Sequence, residues 1–358
     1  MNQTEQELFL ALCRFKEPDR EKLKSLLPDN ATATVLGELF FNRVQAIAYG
    51  VLKETGLLYA TGREFRNSLA GAYQQNIGKN KSFFQCIQRL SDLLKQKKEK
   101  YAMLKGALLC DCYPEGYRTS NDIDLLVRPE DVTEIGEALT AAGFRQGNIR
   151  NGEFEAAGRQ EIIESKMMRG ETVPYILDVQ LPYLRFLEVD INYSLDYKNS
   201  DTKVIEEMLG RAGETSLKES TIITLDKYDF FIHLCSHLYK EATTFPWIKM
   251  KRDMTLYKFC DIYMLMSDFL PVEISKLFRR AEVLGMADIC SCVFLWTDAL
   301  FSSGNLRLLD FARYCLSGKE SILYEIIAPA TRKTMRYSET DIKKRFFSDD
   351  RLALLQEV

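Results

Sequence analysis

The sequence predicts an α+β fold in which helical regions flank a small mixed β-sheet. Two long regions, 1–100 and 201–358, carry apolar residues at three- and four-residue spacing, the pattern of amphipathic helices. Residues 101–200 differ, because short apolar runs typical of strands lie between segments of helical spacing. We therefore expect an N-terminal helical region, a core of residues 101–200 and a C-terminal helical domain.

The N-terminal region, residues 1–100, is expected to be helical. Apolar side chains recur at helical spacing through residues 36–52 and again through 65–94. The basic run at 95–100 follows the second segment. Cations are favourable there because the C-terminal end of a helix carries partial negative charge. These features predict a long second helix that the basic run closes.

The core region alternates short strands with helices. A helix is expected over 106–112. Another is expected over 129–142 and ends at Gly143, since glycine readily adopts the left-handed conformation that closes many helices. Strands are expected over residues 101–105, 122–127, 144–149, 161–168, 175–180 and 186–193.

Helical spacing returns after residue 201 and continues to the end of the chain. Helices are expected over residues 226–241, 246–267, 271–284 and 286–301. No low-complexity stretch and no repeat of solenoid period interrupts the sequence. We therefore expect closely packed domains rather than domains joined by a flexible tether.

Composition and charge argue against several classes of protein. With 358 residues, 46% of them hydrophobic, the chain can bury a full core. The formal net charge of -3 argues against a general nucleic-acid or membrane-surface binder, because such proteins carry a basic excess. The nine cysteines include no CxxC pair, and no apolar run reaches secretory or membrane-spanning length. These features predict reduced thiols, a cytoplasmic location and no membrane partner.

Asp122 and Asp124 form the most informative pair in the sequence. Side chains alternate between the faces of a strand, so both carboxylates point one way while Ile123 and Leu125 point into a core. Adjacent carboxylates repel each other unless a metal ion or a basic group neutralises them. The pair predicts a site for a hard divalent cation, Mg²⁺ with Mn²⁺ as a substitute, and chemistry on phosphate groups.

Residues upstream of the pair suit a phosphate ligand. Gly106 lies where a strand turns into a helix, and a glycine lets a backbone N–H approach a phosphate closely. Lys105 and Arg118 are each able to neutralise charge on the β- or γ-phosphate. Other interpretations stay open: Lys105 could extend from a strand end into solvent, and Arg118 could be a structural partner of the aspartates. Asp122 could also follow turn residues 119–121 as an ordinary strand start.

The segment LKGALLCDCYPEGYRTSNDIDLLV, residues 104–127, resembles a bacterial family of largely uncharacterised nucleotidyltransferases. That family lies within the DNA polymerase β-like nucleotidyltransferase superfamily, in which a glycine-led turn and a helix precede a strand bearing Asp-x-Asp. The likeness continues through NKSFFQCIQRLSDLL, AAGF and KFCDIYML and covers roughly residues 35–270. The resemblance implies that the small mixed sheet of residues 101–200 is a nucleotidyltransferase core.

The resemblance also implies a third carboxylate on a later strand. We choose Asp190 in FLEVDINYSL, because alternation places Glu188, Asp190 and Asn192 on one face of that strand. Glu188 is the second candidate. Asp178 is the third, and it requires the preceding strand to lie beside the Asp-x-Asp strand.

An enzyme of this type would transfer a nucleoside monophosphate from an NTP, such as ATP, to an acceptor and release pyrophosphate. The resemblance implies a metal held by Asp122, Asp124 and Asp190, and a nucleotide bound by Lys105, Gly106 and Arg118. The acceptor stays open, although the absence of a basic excess favours a small molecule or a protein over a nucleic acid.

Two positions depart from the family pattern. Ala107 follows Gly106 where many superfamily members have serine or glycine, and Asn192 stands where the narrower family often has histidine. These departures favour an alternative of a different class, a non-catalytic nucleotide-binding or protein-interaction module on the same fold. A phosphotransferase acting on small-molecule antibiotics is a further alternative that the same carboxylates would serve.

Overall fold

A computed structural model describes residues 1–98, 100–168, 170–195, 202–328 and 333–357. Helices and a mixed sheet within these ranges confirm the predicted α+β fold class. The α-helices are α1 (Gln3–Cys13), α2 (Arg20–Asn30), α3 (Ala33–Phe41), α4 (Gln45–Glu54), α5 (Arg63–Leu94), α6 (Gly106–Cys112), α7 (Val132–Ala141), α8 (Arg159–Met168), α9 (Thr202–Arg211), α10 (Lys227–Ala242), α11 (Phe245–Lys249), α12 (Leu256–Ser267), α13 (Pro271–Val283), α14 (Ala287–Phe301), α15 (Leu306–Cys315) and α16 (Ile342–Phe346). Short 3₁₀ helices occupy Leu58–Ala60, Pro129–Asp131, Glu320–Leu323 and Leu352–Leu354.

The strands of the described ranges form two sheets. One has eight strands in the order β4-β3-β5-β6-β2-β1-β8-β7, and the other has three in the order β11-β10-β9. Their bounds are β1 (Tyr101–Met103), β2 (Asp122–Val127), β3 (Arg145–Arg150), β4 (Glu153–Ala156), β5 (Tyr175–Leu181), β6 (Leu184–Asn192), β7 (Gly213–Ser216), β8 (Thr221–Thr224), β9 (Glu325–Ala328), β10 (Lys333–Tyr337) and β11 (Leu355–Glu357).

The chain divides into two compact units. One consists of Met1–Tyr73 with Phe231–Val358, and the other of Gln74–Phe230, so the boundaries fall inside α5 and α10. The second unit contains the eight-stranded sheet and is called the sheet unit below. The expected three-region division into 1–100, 101–200 and 201–358 stays a prediction.

The centre of the sheet unit is strand β2. It pairs in parallel with β6 on one side and antiparallel with β1 on the other, and β1 pairs in parallel with β8. One face of these strands is apolar: Ile123, Leu125 and Val189 are fully buried in the main hydrophobic core. Helices α5, α6 and α7 contribute to the same core, which leaves the opposite face of β2 and β6 for polar side chains.

Helix α5 holds the loops of the sheet unit through their backbones. Four of its side chains donate hydrogen bonds to carbonyl oxygens of distant segments: Asn76 to Gly116 at 2.9 Å, Asn80 to Arg118 at 2.9 Å, Ser82 to Pro182 at 2.7 Å, and Ser91 to Thr221 at 2.7 Å. The first two bonds fix the loop before β2, and the third fixes the hairpin between β5 and β6. The helix therefore positions both of the central strands.

The other unit is mainly helical. Its core includes fully buried residues of α1, α12 and α14, such as Phe9, Phe259 and Phe294. Arg351 pairs with the buried carboxylate of Asp253 through two hydrogen bonds of 2.7 and 2.8 Å. None of the helices in the described part of the chain combines the length and the hydropathy that a membrane crossing needs.

The structure corrects the sequence-based secondary structure first at two individual segments. The strand expected over 161–168 belongs to α8, where Gln160 donates to Glu164 one turn away at 2.8 Å. The helix expected over 246–267 is interrupted between α11 and α12, where Lys251 has a positive φ of 57° and Asp253 is held by Arg351. Residues 161–168 contain good helix formers, and this propensity agrees with the observed helix α8. The break between α11 and α12 coincides with the tertiary contact of Asp253 with Arg351, which helix propensity does not indicate.

Strands β7 to β11 also lie in the region expected to be helical to its end. Each has only three to five residues, which is too short for an alternating pattern to emerge. Strand β8 nevertheless extends the central sheet, because Thr224 pairs with Met103 of β1. The expected elements that frame the candidate site, β1, α6, β2 and β6, are confirmed with bounds within two residues of those predicted.

We expect Ile123→Ala to destabilise the sheet unit by about 2–5 kcal/mol, because it removes a fully buried side chain and leaves a cavity behind β2. Urea denaturation would measure the change. The matched control is Ile163→Ala, which truncates an isoleucine that is 47% exposed in the same unit. Equal losses in the two variants would contradict the assignment of Ile123 to the core.

Candidate active site

The register between β2 and β6 brings four acidic side chains together. Asp122 lies beside Glu188, and Asp124 lies beside Asp190. Neighbouring residues of a sheet point to the same face, so these carboxylates share the polar face opposite the apolar core. The strand beside β2 is therefore the one that carries Asp190 and Glu188.

Asp178 lies on β5, one strand further from β2. It is opposite Phe186 of β6, and one of its carboxylate oxygens is 3.9 Å from Nε of Arg185. The condition that would favour Asp178 as the third carboxylate, a place beside the Asp-x-Asp strand, is not met. Glu188 is closer, and its Oε1 accepts a 2.9 Å hydrogen bond from Asn121.

Lys105 forms an ion pair with Asp124. Its Nζ is 2.8 Å from Oδ1 of Asp124, and both side chains are largely buried, at 18% and 7% exposure. Asn192 donates a second hydrogen bond to the same oxygen at 3.3 Å. The lysine thus points into the carboxylate cluster instead of extending into solvent.

The backbone at Lys105 has an unusual conformation. Lys105 has φ 41° and ψ -112°, a conformation that side-chain-bearing residues rarely adopt. It directly precedes α6, and its carbonyl oxygen accepts hydrogen bonds from the backbone of Leu108 and Leu109. Strained backbone of this kind is often retained at functional sites because the surrounding structure stabilises it.

Gly106 is required by close packing. A Cβ atom built at this position would lie 2.7 Å from both Cβ and Oγ of Ser120, a distance that real Cβ atoms do not reach. Ser120 in turn donates a hydrogen bond to Asp122. The absence of a side chain at Gly106 therefore lets the segment before β2 approach α6 and orient the first aspartate.

Arg118 lies on the loop before β2. Its guanidinium donates to the carbonyl of Thr119, its own carbonyl is held by Asn80 of α5, and its charge acts on Asp122. The sequence left open whether Arg118 binds a ligand or partners an aspartate. Its electrostatic effect on Asp122 is compatible with both roles.

The cluster shifts the pKa values of its members in opposite directions. Burial and the charges of Asp124, Asp122 and Glu171 raise the pKa of Asp190 well above its usual range. Burial also opposes ionisation of Asp122, but the hydrogen bond from Ser120 and the charges of Lys105 and Arg118 outweigh it and lower the pKa.

Lys105 and Glu188 respond to the same neighbours. Burial disfavours the charged form of Lys105, but the charge and hydrogen bond of Asp124 overcome it and raise the pKa, so the ammonium keeps its proton. Burial, followed by the charge of Asp122, raises the pKa of Glu188. The hydroxyl of Ser120 and the ammonium of Lys105 therefore contact the carboxylates of β2, while Glu188 and Asp190 of β6 have raised pKa values.

Glu171 is an acidic residue near this cluster that the sequence analysis missed. It bridges to Asn192 of β6, and the adjacent backbone is fixed by hydrogen bonds of 2.9 Å from Thr172 to Ile191 and 3.0 Å from Tyr193 to Gly170. Its charge acts on Lys105 and Asp190. A single glutamate in an irregular segment has no sequence pattern that would reveal its position.

Comparison with known protein families decides the classification. The model of a family described as uncharacterised nucleotidyltransferases matches residues 33–302, three quarters of the chain. The chain belongs to this nucleotidyltransferase family. The match includes every site residue described above and confirms the family resemblance of residues 104–127. No curated protein matches the chain.

The carboxylates of this site suit a hard cation in their chemistry. Oxygen ligands are those that Mg²⁺ prefers. Burial and then the charges of Asp124, Asp122 and Glu171 raise the pKa of Asp190, and a divalent ion would offset the repulsion among these carboxylates. In the ranges that the structure describes, no group of three or more His, Cys, Asp or Glu side chains is already spaced around a metal position. Because Lys105 and Asn192 both bond Oδ1 of Asp124, a metal held through that oxygen would have to replace the ammonium.

We expect Gly106→Ala to destabilise the protein by about 1–3 kcal/mol, because the new methyl group would displace Ser120. The loss should appear in urea denaturation. Gly210→Ala in α9 is the matched control: nothing lies within 4 Å of its added Cβ, so alanine should be neutral or stabilising by up to about 1 kcal/mol. Similar effects of the two substitutions would show that close packing does not require a glycine at position 106.

Asp190→Asn should stabilise the protein at neutral pH. The folded-state pKa of Asp190 lies above the ordinary value of 3.8, so the folded state retains a proton that the unfolded state has lost. The stabilisation of the folded state by the protonated Asp190 carboxyl is complete below pH 3.8. It is lost as the pH rises through the folded-state pKa. The gain from Asp190→Asn should therefore be absent at the lowest pH and grow as pH increases, as measured by urea denaturation at a series of pH values. A gain that shrinks with rising pH would contradict the raised pKa.

Proposed function

We propose that this family member is a Mg²⁺-dependent enzyme that transfers a nucleoside monophosphate from an NTP to a hydroxyl or phosphate acceptor. The observation that carries the proposal is the parallel register that places Asp190 beside Asp124 on one polar face. Family membership supports nucleotidyl transfer as the general chemistry. The glycine-led turn before the Asp-x-Asp strand supports placement in the polymerase β-like superfamily.

The proposed metal ligands are Asp122, Asp124 and Asp190. A bound Mg²⁺ would supply charge neutralisation for the triphosphate and would favour ionisation of the attacking hydroxyl. Mn²⁺ is expected to substitute, because it prefers the same oxygen ligands.

The remaining residues of the site would position and neutralise the nucleotide. Lys105 and Arg118 would neutralise the negative charge that develops on the leaving pyrophosphate. The lack of a side chain at Gly106 would leave the backbone accessible to the phosphate chain. These roles need only movements of side chains, because hydrogen bonds already hold the backbone at Lys105 and Arg118.

Asp190 would accept the proton of the acceptor hydroxyl. Its place beside Asp124 on the polar face would bring it next to a hydroxyl that the metal holds. The acceptor oxygen forms a bond to the α-phosphorus, the bond from that phosphorus to the bridging oxygen breaks, and pyrophosphate leaves with the electron pair. Glu171 would border the acceptor, since its charge acts on Asp190 from the neighbouring segment.

ATP is one of the donors to be compared. We propose a small molecule or a protein as acceptor rather than a nucleic acid, because the net charge is -3. A cytoplasmic location is part of the same proposal and rests on the reduced cysteines expected from the sequence.

A second candidate function is a non-catalytic nucleotide-binding or protein-interaction module. Two observations favour it: Lys105 already neutralises Asp124, and Asn192 takes the place where the family often has histidine. Pyrophosphate release separates the two functions, because a binding module would retain the NTP unchanged. A phosphotransferase would instead release a nucleoside diphosphate.

The experiment is thermal unfolding with each of the four NTPs, with and without Mg²⁺, followed by a pyrophosphate assay with candidate acceptors. Ligand binding to the folded state stabilises it by roughly 2.7 kcal/mol at a hundredfold excess over Kd. We expect a Mg²⁺-dependent rise in Tm with at least one NTP. The rise should be lost in Asp122→Asn/Asp124→Asn, which keeps the shape of both side chains.

The control variant is Asp92→Asn, which removes an exposed carboxylate of α5 that bonds only its helical neighbour Gln88 in the described contacts. It should retain the full shift in Tm. No shift with any NTP would sink the nucleotide-binding proposal. A shift without pyrophosphate release from any acceptor would favour the binding module.

A further inference from the structure

The ion pair between Lys105 and Asp124 lies where a metal ligand is needed. Oδ1 of Asp124 receives Nζ of Lys105 at 2.8 Å and Nδ2 of Asn192 at 3.3 Å. Both groups are cationic or electropositive and stabilise the carboxylate as a metal ion would. A divalent cation approaching this oxygen therefore competes with an ammonium that the chain itself provides.

The backbone keeps Lys105 beside Asp124. The backbone N–H of Leu104 donates to the carbonyl of Asp124 at 2.9 Å, and the carbonyl of Lys105 accepts the first hydrogen bonds of α6. The main chain is thus fixed on both sides of the lysine. Only its flexible side chain is able to move, and it can do so within a short radius of the carboxylate cluster.

Releasing Lys105 from Asp124 is unfavourable without another anion. The side chain is largely buried. Of the other carboxylates whose charges act on it, Asp122 would bind the same metal, and only Glu171 would be left to balance the ammonium. A triphosphate supplies negative charge in the same region, which would let the ammonium move to phosphate oxygens while Asp124 takes the metal. When Lys105 leaves Asp124, the ammonium and the carboxylate therefore both gain a new oppositely charged partner only if nucleotide and metal are present together.

We propose that Lys105 is a resident counter-ion of the metal site and makes the binding of a divalent cation depend on a bound nucleoside triphosphate. This inference rests on the proposed function and adds an order to it: metal alone binds weakly, and the metal–nucleotide complex binds well. Lys105 is a positioning residue in this scheme. Its loss would open Asp124 to metal in the absence of nucleotide.

The test measures Mn²⁺ binding through the loss of the free-ion electron paramagnetic resonance signal. Mn²⁺ alone is titrated into the wild-type protein, Lys105→Met and Lys81→Met, the last removing an exposed lysine of α5 in the same unit. We expect Lys105→Met to bind one Mn²⁺ at least about tenfold more tightly than the wild type, because one opposing charge is removed at contact distance. Lys81→Met should match the wild type.

The double variant Lys105→Met/Asp124→Asn identifies where the gained ion binds. It should lose the additional Mn²⁺, since the freed carboxylate is then replaced by an amide. A general effect of net charge would instead appear in Lys81→Met as well, because that variant has the same net charge as Lys105→Met. An unchanged Mn²⁺ affinity in Lys105→Met, or a gain that survives Asp124→Asn, would overturn the inference.

A separate arm distinguishes this inference from the proposed function. Calorimetry measures the affinity of the wild type for Mn²⁺ and for the Mn²⁺ complex of each NTP as its α,β-methylene analogue, which resists transfer. Tight binding of the complex with weak binding of Mn²⁺ alone supports the counter-ion role, and this comparison does not depend on whether the Lys105 variant folds. Wild-type protein that binds Mn²⁺ alone as tightly as the complex contradicts the counter-ion role. Binding of neither complex nor nucleotide contradicts the proposed function, whatever Lys105→Met does with metal alone.

Discussion

Parallel pairing of β2 with β6 is the constraint on which the candidate site depends. These strands are separated in sequence by two helices and three further strands, yet the register sets Asp124 directly beside Asp190. A shift of one residue in that register would turn the carboxylates of β6 into the apolar core. The buried residues Ile123, Val189 and Ile191 oppose such a shift, so the hydrophobic face fixes the geometry of the polar face.

Placing several acidic side chains on one face of a sheet is electrostatically unfavourable, and the surrounding contacts stabilise the carboxylates of β2 and β6 unequally. The hydroxyl of Ser120 and the ammonium of Lys105 contact Asp122 and Asp124 of β2, while burial and the neighbouring carboxylates raise the pKa of Asp190 of β6. The site is therefore asymmetric before any ligand binds. Such a division suits chemistry in which one set of oxygens holds a cation and another exchanges a proton.

Local patterns were sufficient to predict some of this arrangement and not the rest. Alternation around Asp122 and Asp190 correctly indicated which residues of each strand share a face, and the helical spacing after Gly106 predicted α6. Glu171 could not be predicted, because a bridge to β6 made from an irregular segment leaves no periodicity. The contact of Lys105 with Asp124 could not be predicted either, because Lys105 has an unusual backbone conformation that no sequence pattern indicates. The catalytic and ligand-binding roles of these residues stay predictions.

Three side chains of helix α5 hold the loops around the site by hydrogen bonds to carbonyl oxygens. A carbonyl is common to every amino acid, so these anchors are indifferent to which residues a loop carries. Mutation can change the chemical surface of a loop tip while the strand behind it stays in place. The scaffold thus separates the part of the molecule that fixes the carboxylates from the parts able to diversify toward different acceptors.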